Sequence, residues 1–239
     1  MTSEYRKFST IADQWWDENG KFAVLHKINP LRIKYIIKQI TKIKKINIKN
    51  KQGYNKINIV DIGCGGGLVC EPLARIGAKV SGLDFVKKNI KIAKKHSINE
   101  GLNIKYIVSN IDKINLKSKY DVILLLEVIE HLDNWQKILS KLKTFLRPNG
   151  ILIISTINRN FISFMGAIFI AEKIFKWIPS GTHNYNKFIK PEELKKELLM
   201  NKFKVIDISG LIFNPIKRSW SITKKNTKIN YFCTVQKIN

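Results

Sequence analysis

The sequence predicts an α/β fold built on a mostly parallel central sheet, and three observations support this. Between residues 57 and 155, short apolar runs typical of buried strands alternate with segments typical of helices. A glycine-rich turn, Gly63 to Gly67, follows the first run, and the second run ends in an acidic residue, Asp84. Parallel strands joined by helices form a sheet covered on both faces, which binds ligands at the carboxyl ends of its strands. We therefore expect the functional site at that edge.

The N-terminal region is predicted to form a helical extension. Residues 4–18 and 29–43 are expected to be helices, and the lysine-rich, turn-prone segment 44–56 joins them to the first strand. A Pro-Asn-Gly sequence at 148–150 is expected to separate the last core helix from the strand that follows. In chain order, the core elements are predicted as strand 57–62, helix 68–76, strand 79–84, helix 86–99, strand 104–109, strand 120–126, helix 134–146 and strand 151–155.

The remaining residues are predicted to add an insertion and a second kind of strand pairing. Residues 157–189 interrupt the alternation after strand five and are expected to form a helical lid or membrane insertion. A helix from Pro191 and strands at 203–209 and 229–236 then complete the sheet with an antiparallel edge pair. We expect one domain, 1–239, made of a helical cap (1–56), a cofactor-binding core (57–156), the insertion (157–189) and a C-terminal helix with strands (190–239).

The glycine turn and the acid that follows it predict a nucleoside cofactor. Glycines let the backbone turn tightly and approach a ligand closely, and a carboxylate after the next strand can accept both ribose hydroxyls. A dinucleotide fingerprint would place a third glycine where Leu68 stands, whereas the sequence reads Asp61-x-Gly63-x-Gly65-x-Gly67. This arrangement resembles the first motif of class I S-adenosylmethionine-dependent methyltransferases, which have a Rossmann-like fold. An ordinary tight turn is the alternative.

A second cluster follows the fourth predicted strand, where the chain reads Glu127-Val128-Ile129-Glu130-His131. Two carboxylates and an imidazole within five residues can act as a general base, and they can also hold a hard divalent cation such as Mg²⁺. The alternative is a solvated helix start whose acids lie near the positive end of the helix dipole. We expect Glu127, Glu130 and His131 to be the catalytic residues, with the same three as candidate metal ligands.

Composition sets limits on compartment and partners. The 239 residues carry 43 Lys and Arg against 18 Asp and Glu, a net charge of +25. Taken alone, this favours nucleic acid or an anionic membrane as a partner. The excess is almost all lysine, however, and it is spread along a chain rich in isoleucine and asparagine, which is typical of A/T-rich codon usage. Cys64, Cys70 and Cys233 form no CxxC pair, and the N-terminal residues do not resemble a signal peptide, so a cytoplasmic location is expected.

Specific sequence blocks lie along nearly the whole chain: Phe8-Ser9, Trp15-Trp16-Asp17, Leu25 to Arg32, the glycine turn, Glu127 to His131, Ser155 to Arg159, Gly181-Thr182-His183, Lys187 to Leu194 and Gly210 to Pro215. Together they resemble the ubiquinone biosynthesis O-methyltransferase family, which methylates a polyprenyl-hydroxyphenol and the later 3-demethylubiquinol with S-adenosylmethionine. The resemblance places the cofactor at Arg32, Gly63, Asp84 and Leu126, where relatives often have Met at the last position, and we add Gly65 of the glycine turn. Eukaryotic relatives have a metal-linked Glu-x-x-Glu-His, matched by Glu127, Glu130 and His131.

Two other function classes stay open on the sequence. The charge favours an RNA or other methyltransferase, but the Asn/Asp-Pro-Pro-aromatic block of enzymes that methylate base amines is replaced here by Glu127 to His131, and no stacking platform is evident. We therefore expect no specific nucleic acid. The second alternative is a non-catalytic cofactor-binding or lipid-binding subunit of a ubiquinone-biosynthesis complex. The acidic residues after the fourth strand argue against it.

The insertion contains an apolar stretch, 161–178, that is predicted to dock on a membrane. Its uncharged part, 161–171, is well short of the roughly 20 residues needed to span a bilayer. Lysines and Trp177 lie towards one end, as is typical of helices at an anionic lipid surface. We expect a peripheral location at the inner face of the bacterial plasma membrane, where a polyprenyl substrate would enter. A lid helix packed inside the protein is the alternative.

Overall fold

The computed structural model describes residues 3–46, 51–160, 163 and 185–238. Eight strands lie in one sheet with the order β3-β2-β1-β4-β5-β8-β6-β7. Contacts divide the chain into two compact units, Met1–Leu124 and Leu125–Asn239. The strands are β1 Asn58–Ile62, β2 Lys79–Asp84, β3 Lys105–Val108, β4 Tyr120–Leu126, β5 Leu146–Ile157, β6 Phe203–Asn214, β7 Ser219–Thr223 and β8 Asn230–Lys237, and the α-helices are α1 Ser3–Ile11, α2 Ala23–Lys44, α3 Cys70–Arg75, α4 Lys87–Asn99, α5 Trp135–Phe145 and α6 Pro191–Met200.

The N-terminal helices of the first unit differ from the prediction in their boundaries. Helix α1 ends at Ile11 and continues into a 3-10 turn at Ala12–Gln14, where the predicted helix would have run to residue 18. Helix α2 begins at Ala23 and passes through Pro30, although the prediction began it just before that proline. Proline removes one helical hydrogen bond, and the helix offsets the loss by burying its apolar face, including Tyr35, Ile36 and Ile40.

The core of the first unit forms as predicted. Strand β1 pairs in parallel with β2, and β2 pairs in parallel with β3. Four of the five residues of β1 are buried, which is typical of a strand covered on both faces. Helix α3 connects β1 to β2, and α4 connects β2 to β3. Strand β2 ends at Asp84, and α4 begins at Lys87. The glycine turn and Asp84 therefore both follow the carboxyl ends of neighbouring parallel strands.

The second unit contains more antiparallel strand pairs than expected. Strand β5 pairs antiparallel with β8, β8 with β6, and β6 with β7. Strand β7 was not predicted, and β5 begins at Leu146, so the Pro-Asn-Gly sequence lies inside the strand and not before it. The α/β fold class with an antiparallel edge is confirmed, whereas the single-domain layout stays a prediction.

Most of the predicted insertion, 157–189, lies outside the described residues. Of the membrane stretch 161–178 only residue 163 is described, so the expected lid or interfacial helix stays a prediction. Among the helices that the structure does describe, none combines the length and the apolar character that a membrane-crossing segment needs.

Candidate active site

Asp84 lies at the end of β2 with its carboxylate surrounded by hydrogen-bond donors. The side chain is 6% exposed. Oδ1 accepts from the Val86 amide at 2.7 Å and from Asn89 Nδ2 at 3.3 Å, while Oδ2 accepts from the Gly65 amide at 3.0 Å. Burial raises the pKa of Asp84, and these three donors oppose that shift because they stabilise the anion. A carboxylate has about four acceptor sites, so an acceptor site on Oδ2 is left for a ligand hydroxyl.

The glycine turn has a left-handed backbone at Gly63 and Gly65, with φ of +78° and +54°. The amides of Gly63 and Cys64 both donate to the Leu83 carbonyl, which ties the turn to the end of β2. A Cβ on Gly65 would overlap the Trp15 ring, and one on Gly66 would lie 2.5 Å from Trp15 Cβ. The missing side chains thus make room for a tryptophan of the N-terminal region, a role that the sequence did not suggest.

Arg32 is placed beside the acid that precedes the glycine turn. It is 7% exposed within α2. Burial raises the pKa of Asp61 to about 6, and the positive charge of Arg32 acts against that rise. Cys70 Sγ donates to Asp61 Oδ2 at 3.5 Å. Arg32 therefore acts electrostatically on Asp61, and its contact with a cofactor carboxylate stays a prediction.

Glu127 follows β4 in a left-handed conformation with φ of +55°, which is uncommon for a residue with a side chain. Its amide donates to the Ser155 carbonyl at 3.0 Å. Its carboxylate accepts from Ser155 Oγ at 2.6 Å and from Asn230 Nδ2, which lies 3.0 Å from each oxygen. Backbone strain of this kind is found at functional sites when neighbouring contacts hold it in place, as these do.

Glu130 is buried at 3% exposure beside Glu127. Thr156 Oγ1 donates to its Oε2 at 2.9 Å. The other oxygen, Oε1, is buried without a hydrogen-bond partner among the described residues. Burial raises the pKa of Glu130 to about 8, the negative charge of Glu127 adds to the rise, and His131 opposes it. Glu130 therefore holds a proton over much of the neutral range and can exchange it near pH 8.

The three residues that were expected to hold a metal are not arranged to do so. Within the described part of the chain, no three His, Cys, Asp or Glu side chains form a group that could bind a metal ion. Both oxygens of Glu127 already accept from Asn230, and Oε2 of Glu130 accepts from Thr156. As placed, these side chains do not fit the ion, and Mg²⁺ stays a prediction.

Sequence reasoning assigned no role to several residues that the structure places at these sites. Ser155 and Thr156 stood in a block of the family resemblance, which was the only signal for them. Asn89 and Asn230 had no signal, because their partners are found only through the fold. Leu126, the predicted adenine contact, is 7% exposed at the end of β4.

Residues 60–154 match the model of a methyltransferase domain. The chain is 42% identical over 237 residues to the ubiquinone biosynthesis O-methyltransferase of Bartonella bacilliformis, covering 99% of this chain and 95% of the relative. It is 43% identical over 228 residues to the enzyme of the same name from Pelagibacter ubique, covering 95% of this chain and 94% of that one.

Solved structures show the same fold at low sequence identity. The plantazolicin methyltransferase BpumL has a TM-score of 0.64 at 15% identity, with 100% of both chains covered. The magnesium protoporphyrin IX methyltransferase of Synechocystis PCC 6803 has a TM-score of 0.63 at 16% identity, with 99% of this chain and 98% of that one covered. Fold and sequence agree, and the chain belongs to the ubiquinone biosynthesis O-methyltransferase family.

Proposed function

We propose that this enzyme transfers a methyl group from S-adenosylmethionine to the phenolic hydroxyl of 2-polyprenyl-6-hydroxyphenol and of 3-demethylubiquinol. Near-full-length similarity to ubiquinone biosynthesis O-methyltransferases is the observation that carries the proposal. S-adenosylmethionine is the methyl donor, and O-methylation in ubiquinone biosynthesis is the activity that this similarity supports. The two acceptor molecules, and the residue roles below, are what we add.

Asp84 is proposed as the acceptor for the ribose hydroxyls of the cofactor. Its Oδ2 accepts only the Gly65 amide among the contacts described above. A hydroxyl that binds there replaces water with a charge-assisted hydrogen bond. Arg32, Gly63, Gly65 and Leu126 complete the proposed cofactor set, with Arg32 opposite the methionine carboxylate in the paired geometry that arginine favours.

The acceptor hydroxyl must lose its proton before or during methyl transfer. With a phenol pKa near the roughly 10 of tyrosine, ionisation at neutral pH costs about 4 kcal/mol. A general base is most effective when its own pKa lies close to the working pH. Glu130, whose pKa is raised to about 8, meets that requirement better than an exposed carboxylate would. We propose Glu130 as the base, with Glu127 sustaining its raised pKa and His131 adjoining it.

A divalent cation would stabilise the phenolate directly if one binds. The carboxylates as placed do not favour it, so no part of the proposal depends on it. Measuring turnover after chelation, and again after Mg²⁺ is restored, decides the point. A loss that Mg²⁺ reverses would establish the requirement.

The location and partners of the enzyme are further proposals. A polyprenylated phenol is held in a bilayer, so we propose a peripheral location at the cytoplasmic face of the bacterial plasma membrane, with anionic lipid and a ubiquinone-biosynthesis complex as partners. The net charge of +25 favours such lipid electrostatically. Nucleic acid is not proposed as a specific partner.

One assay separates the proposed function from its rivals. Purified enzyme is given labelled S-adenosylmethionine with a short-chain demethylubiquinol, with a catechol, or with total RNA. We expect transfer to both phenols and none to RNA. Transfer to RNA alone would support the nucleic-acid alternative, and cofactor binding without transfer to any of the three would support a non-catalytic subunit.

A further inference from the structure

A buried chain of hydrogen bonds links the N-terminal segment, defined here as residues 5–22, to Asp84. Trp15 Nε1 donates to Asn89 Oδ1 at 2.9 Å, and Asn89 Nδ2 donates to Asp84 Oδ1 at 3.3 Å. Trp15 is 8% exposed and Asn89 is 1% exposed. Asn89 lies in the first turn of α4, directly after the strand that ends in Asp84. The amide therefore bridges a tryptophan of the segment and the carboxylate proposed to bind ribose.

The donors and acceptors of Trp15, Asn89 and Asp84 determine how the Asn89 amide is oriented. An indole N–H can only donate, and an ionised carboxylate can only accept, whereas an asparagine amide has one oxygen and one nitrogen. Only the orientation with Oδ1 towards Trp15 and Nδ2 towards Asp84 satisfies both neighbours. If the indole donor is removed, Oδ1 loses its partner and the Asn89 amide is held by Asp84 alone. Trp15 thus holds the Asn89 amide from the side opposite Asp84.

The position of Trp15 is itself determined by the segment and by the glycine turn. Its ring stacks on Phe22 with a centroid distance of 3.8 Å and an interplanar angle of 7°. The opposing surface is the turn itself, since a Cβ on either Gly65 or Gly66 would overlap Trp15. Ala12 and Leu68 complete this apolar cluster.

Two further contacts attach the same segment to the start of α4. Lys88 Nζ donates to Asp13 Oδ2, and the Tyr5 ring lies 6.0 Å from the Phe85 ring. The segment therefore docks on the residues that immediately follow Asp84, as well as on the glycine turn. Any movement of the segment would change the donors around Asp84.

We propose that Trp15 and Asn89 are positioning residues for the cofactor, so that docking of the N-terminal segment sets the affinity for S-adenosylmethionine. The inference rests on the proposed function, because it takes Asp84 as the ribose acceptor. It assigns the segment an effect on cofactor binding, not on the methyl-transfer step. Loss of the bridge should raise the Kd and KM for S-adenosylmethionine and leave kcat at saturating cofactor nearly unchanged.

Three variants of the full-length enzyme test the bridge by calorimetry with S-adenosylmethionine. Trp15→Phe keeps an aromatic ring and loses only the N–H donor and some volume, and Asn89→Ala removes both bonds. Each should weaken binding about three- to tenfold, the value of one net hydrogen bond. Asn89→Asp keeps the volume but sets a second carboxylate against Asp84, and it should weaken binding about tenfold or more. Unchanged affinity in all three variants would overturn the proposal.

Thr10→Val is the control. Thr10 belongs to the same segment, and its Oγ1 donates to the Arg6 carbonyl at 2.8 Å, so the substitution keeps the shape of the side chain and removes a hydrogen bond that lies within the segment. Its affinity should stay within about twofold of the wild type. Thermal unfolding of each variant separates general destabilisation from loss of the bridge. Equal losses of affinity in Trp15→Phe and Thr10→Val would show a structural role only.

A double-mutant cycle shows whether Trp15 acts through Asp84. In an Asp84→Ala background, Trp15→Phe should change affinity by less than about twofold, since the group that it positions is gone. Independent, additive losses would overturn the proposal. If the wild type fails to bind S-adenosylmethionine, the proposed function fails. If Asp84→Ala binds normally, the assignment of Asp84 fails and this inference fails with it, while the proposed methyl transfer stands.

Discussion

Asp84 and Glu130 are both buried carboxylates near the ends of sheet strands, yet their surroundings differ. Asp84 accepts from two backbone amides and from Asn89. Glu130 accepts from Thr156 and from its own backbone amide, and it faces the charge of Glu127. Desolvation is the largest influence on both, and it raises the pKa of each. The number of donors therefore decides how far desolvation is opposed, and burial by itself does not define the role of a carboxylate.

The different surroundings suit Asp84 to binding a ligand and Glu130 to transferring a proton. Donors that stabilise the anion suit Asp84 to accepting a ligand hydroxyl. A buried carboxyl with a like charge beside it suits Glu130 to exchanging a proton near neutral pH. Substitutions should therefore act on different kinetic constants at the two positions.

Replacing the proton-exchanging carboxyl should give the largest effect. Glu130→Gln keeps the size of the side chain but removes its basicity, and general bases contribute about a hundredfold or more to turnover. We expect kcat to fall about a hundredfold to a thousandfold, with the Kd for S-adenosylmethionine unchanged. The wild-type kcat should rise as the pH rises towards about 8, where Glu130 ionises, and the variant should lose that dependence. Steady-state kinetics with a short-chain quinol measures both.

Glu192→Gln is the control for this substitution, since Glu192 is an exposed carboxylate in the first turn of α6. It should keep full turnover. A Glu130→Gln enzyme with wild-type kcat would remove the distinction between the two carboxylates, and His131 would then be the base to test.

The same raised pKa predicts a pH-dependent stability. The folded pKa of Glu130 is about 8, above its ordinary value of 4.5, so the folded state binds the extra proton between these values. Its stabilising contribution is therefore full below about pH 4.5 and is lost as the pH rises to about 8. Glu130→Gln cannot lose a proton, so relative to it the wild type should become less stable by roughly 2 to 4 kcal/mol over this range. Urea unfolding at about pH 5 and about pH 9 measures the change.

In the stability difference between the wild type and Glu130→Gln, the contributions of other titratable groups cancel. Burial also raises the pKa of Asp61, to about 6 from 3.8, and it contributes in the same direction to both proteins. It cancels in the difference between them. A difference that stays constant with pH would show that the folded pKa of Glu130 is not raised.

Replacing Asp84 should have a smaller effect than replacing Glu130. It should weaken cofactor binding and leave turnover nearly unchanged. Asp84→Ala leaves the ribose hydroxyl that would bind at Oδ2 without its acceptor, at a cost of roughly 1 to 3 kcal/mol. We expect the Kd for S-adenosylmethionine to rise about tenfold or more, while kcat at saturating cofactor changes little. Asp84→Asn is the matched variant, since it keeps the shape and loses the charge, and it should be intermediate. Calorimetry that finds wild-type affinity in Asp84→Ala would reject the ribose assignment.

Much of the fold and part of both sites could be predicted from local sequence patterns. Alternating apolar strands and helices fixed the parallel core, and the glycine turn with Asp84 located the proposed cofactor site. Boundaries failed where tertiary burial outweighed local signals, as at Pro30 inside α2. Strand β7 carries polar residues and is only half-buried or exposed, so it lacked the apolar run that marks a strand.

Side-chain partners distant in sequence could not be predicted. Trp15 and Asn89 are separated by 74 positions, and Glu127 and Asn230 by 103. Neither asparagine lies in a motif, and an isolated asparagine has no sequence pattern that distinguishes a turn residue from a bridge. Their roles follow only from the strand register and the packing of α4.

Removing Asn230 should have the smallest effect, and it tests how the strained Glu127 is held. Asn230 begins β8, where its backbone pairs with Ile157, and Nδ2 donates to both oxygens of Glu127. Asn230→Ala leaves the Glu127 carboxylate with Ser155 as its described side-chain donor. One lost hydrogen bond should lower kcat about three- to fivefold through misplacement of Glu127, with cofactor affinity unchanged. Asn158→Ala is the control, because Asn158 Nδ2 donates to the Thr227 carbonyl and not to Glu127, so that variant should keep wild-type kcat. If Asn230→Ala also keeps wild-type kcat, Ser155 alone suffices to hold Glu127, and the contrast between the two carboxylate sites depends on Glu130 alone.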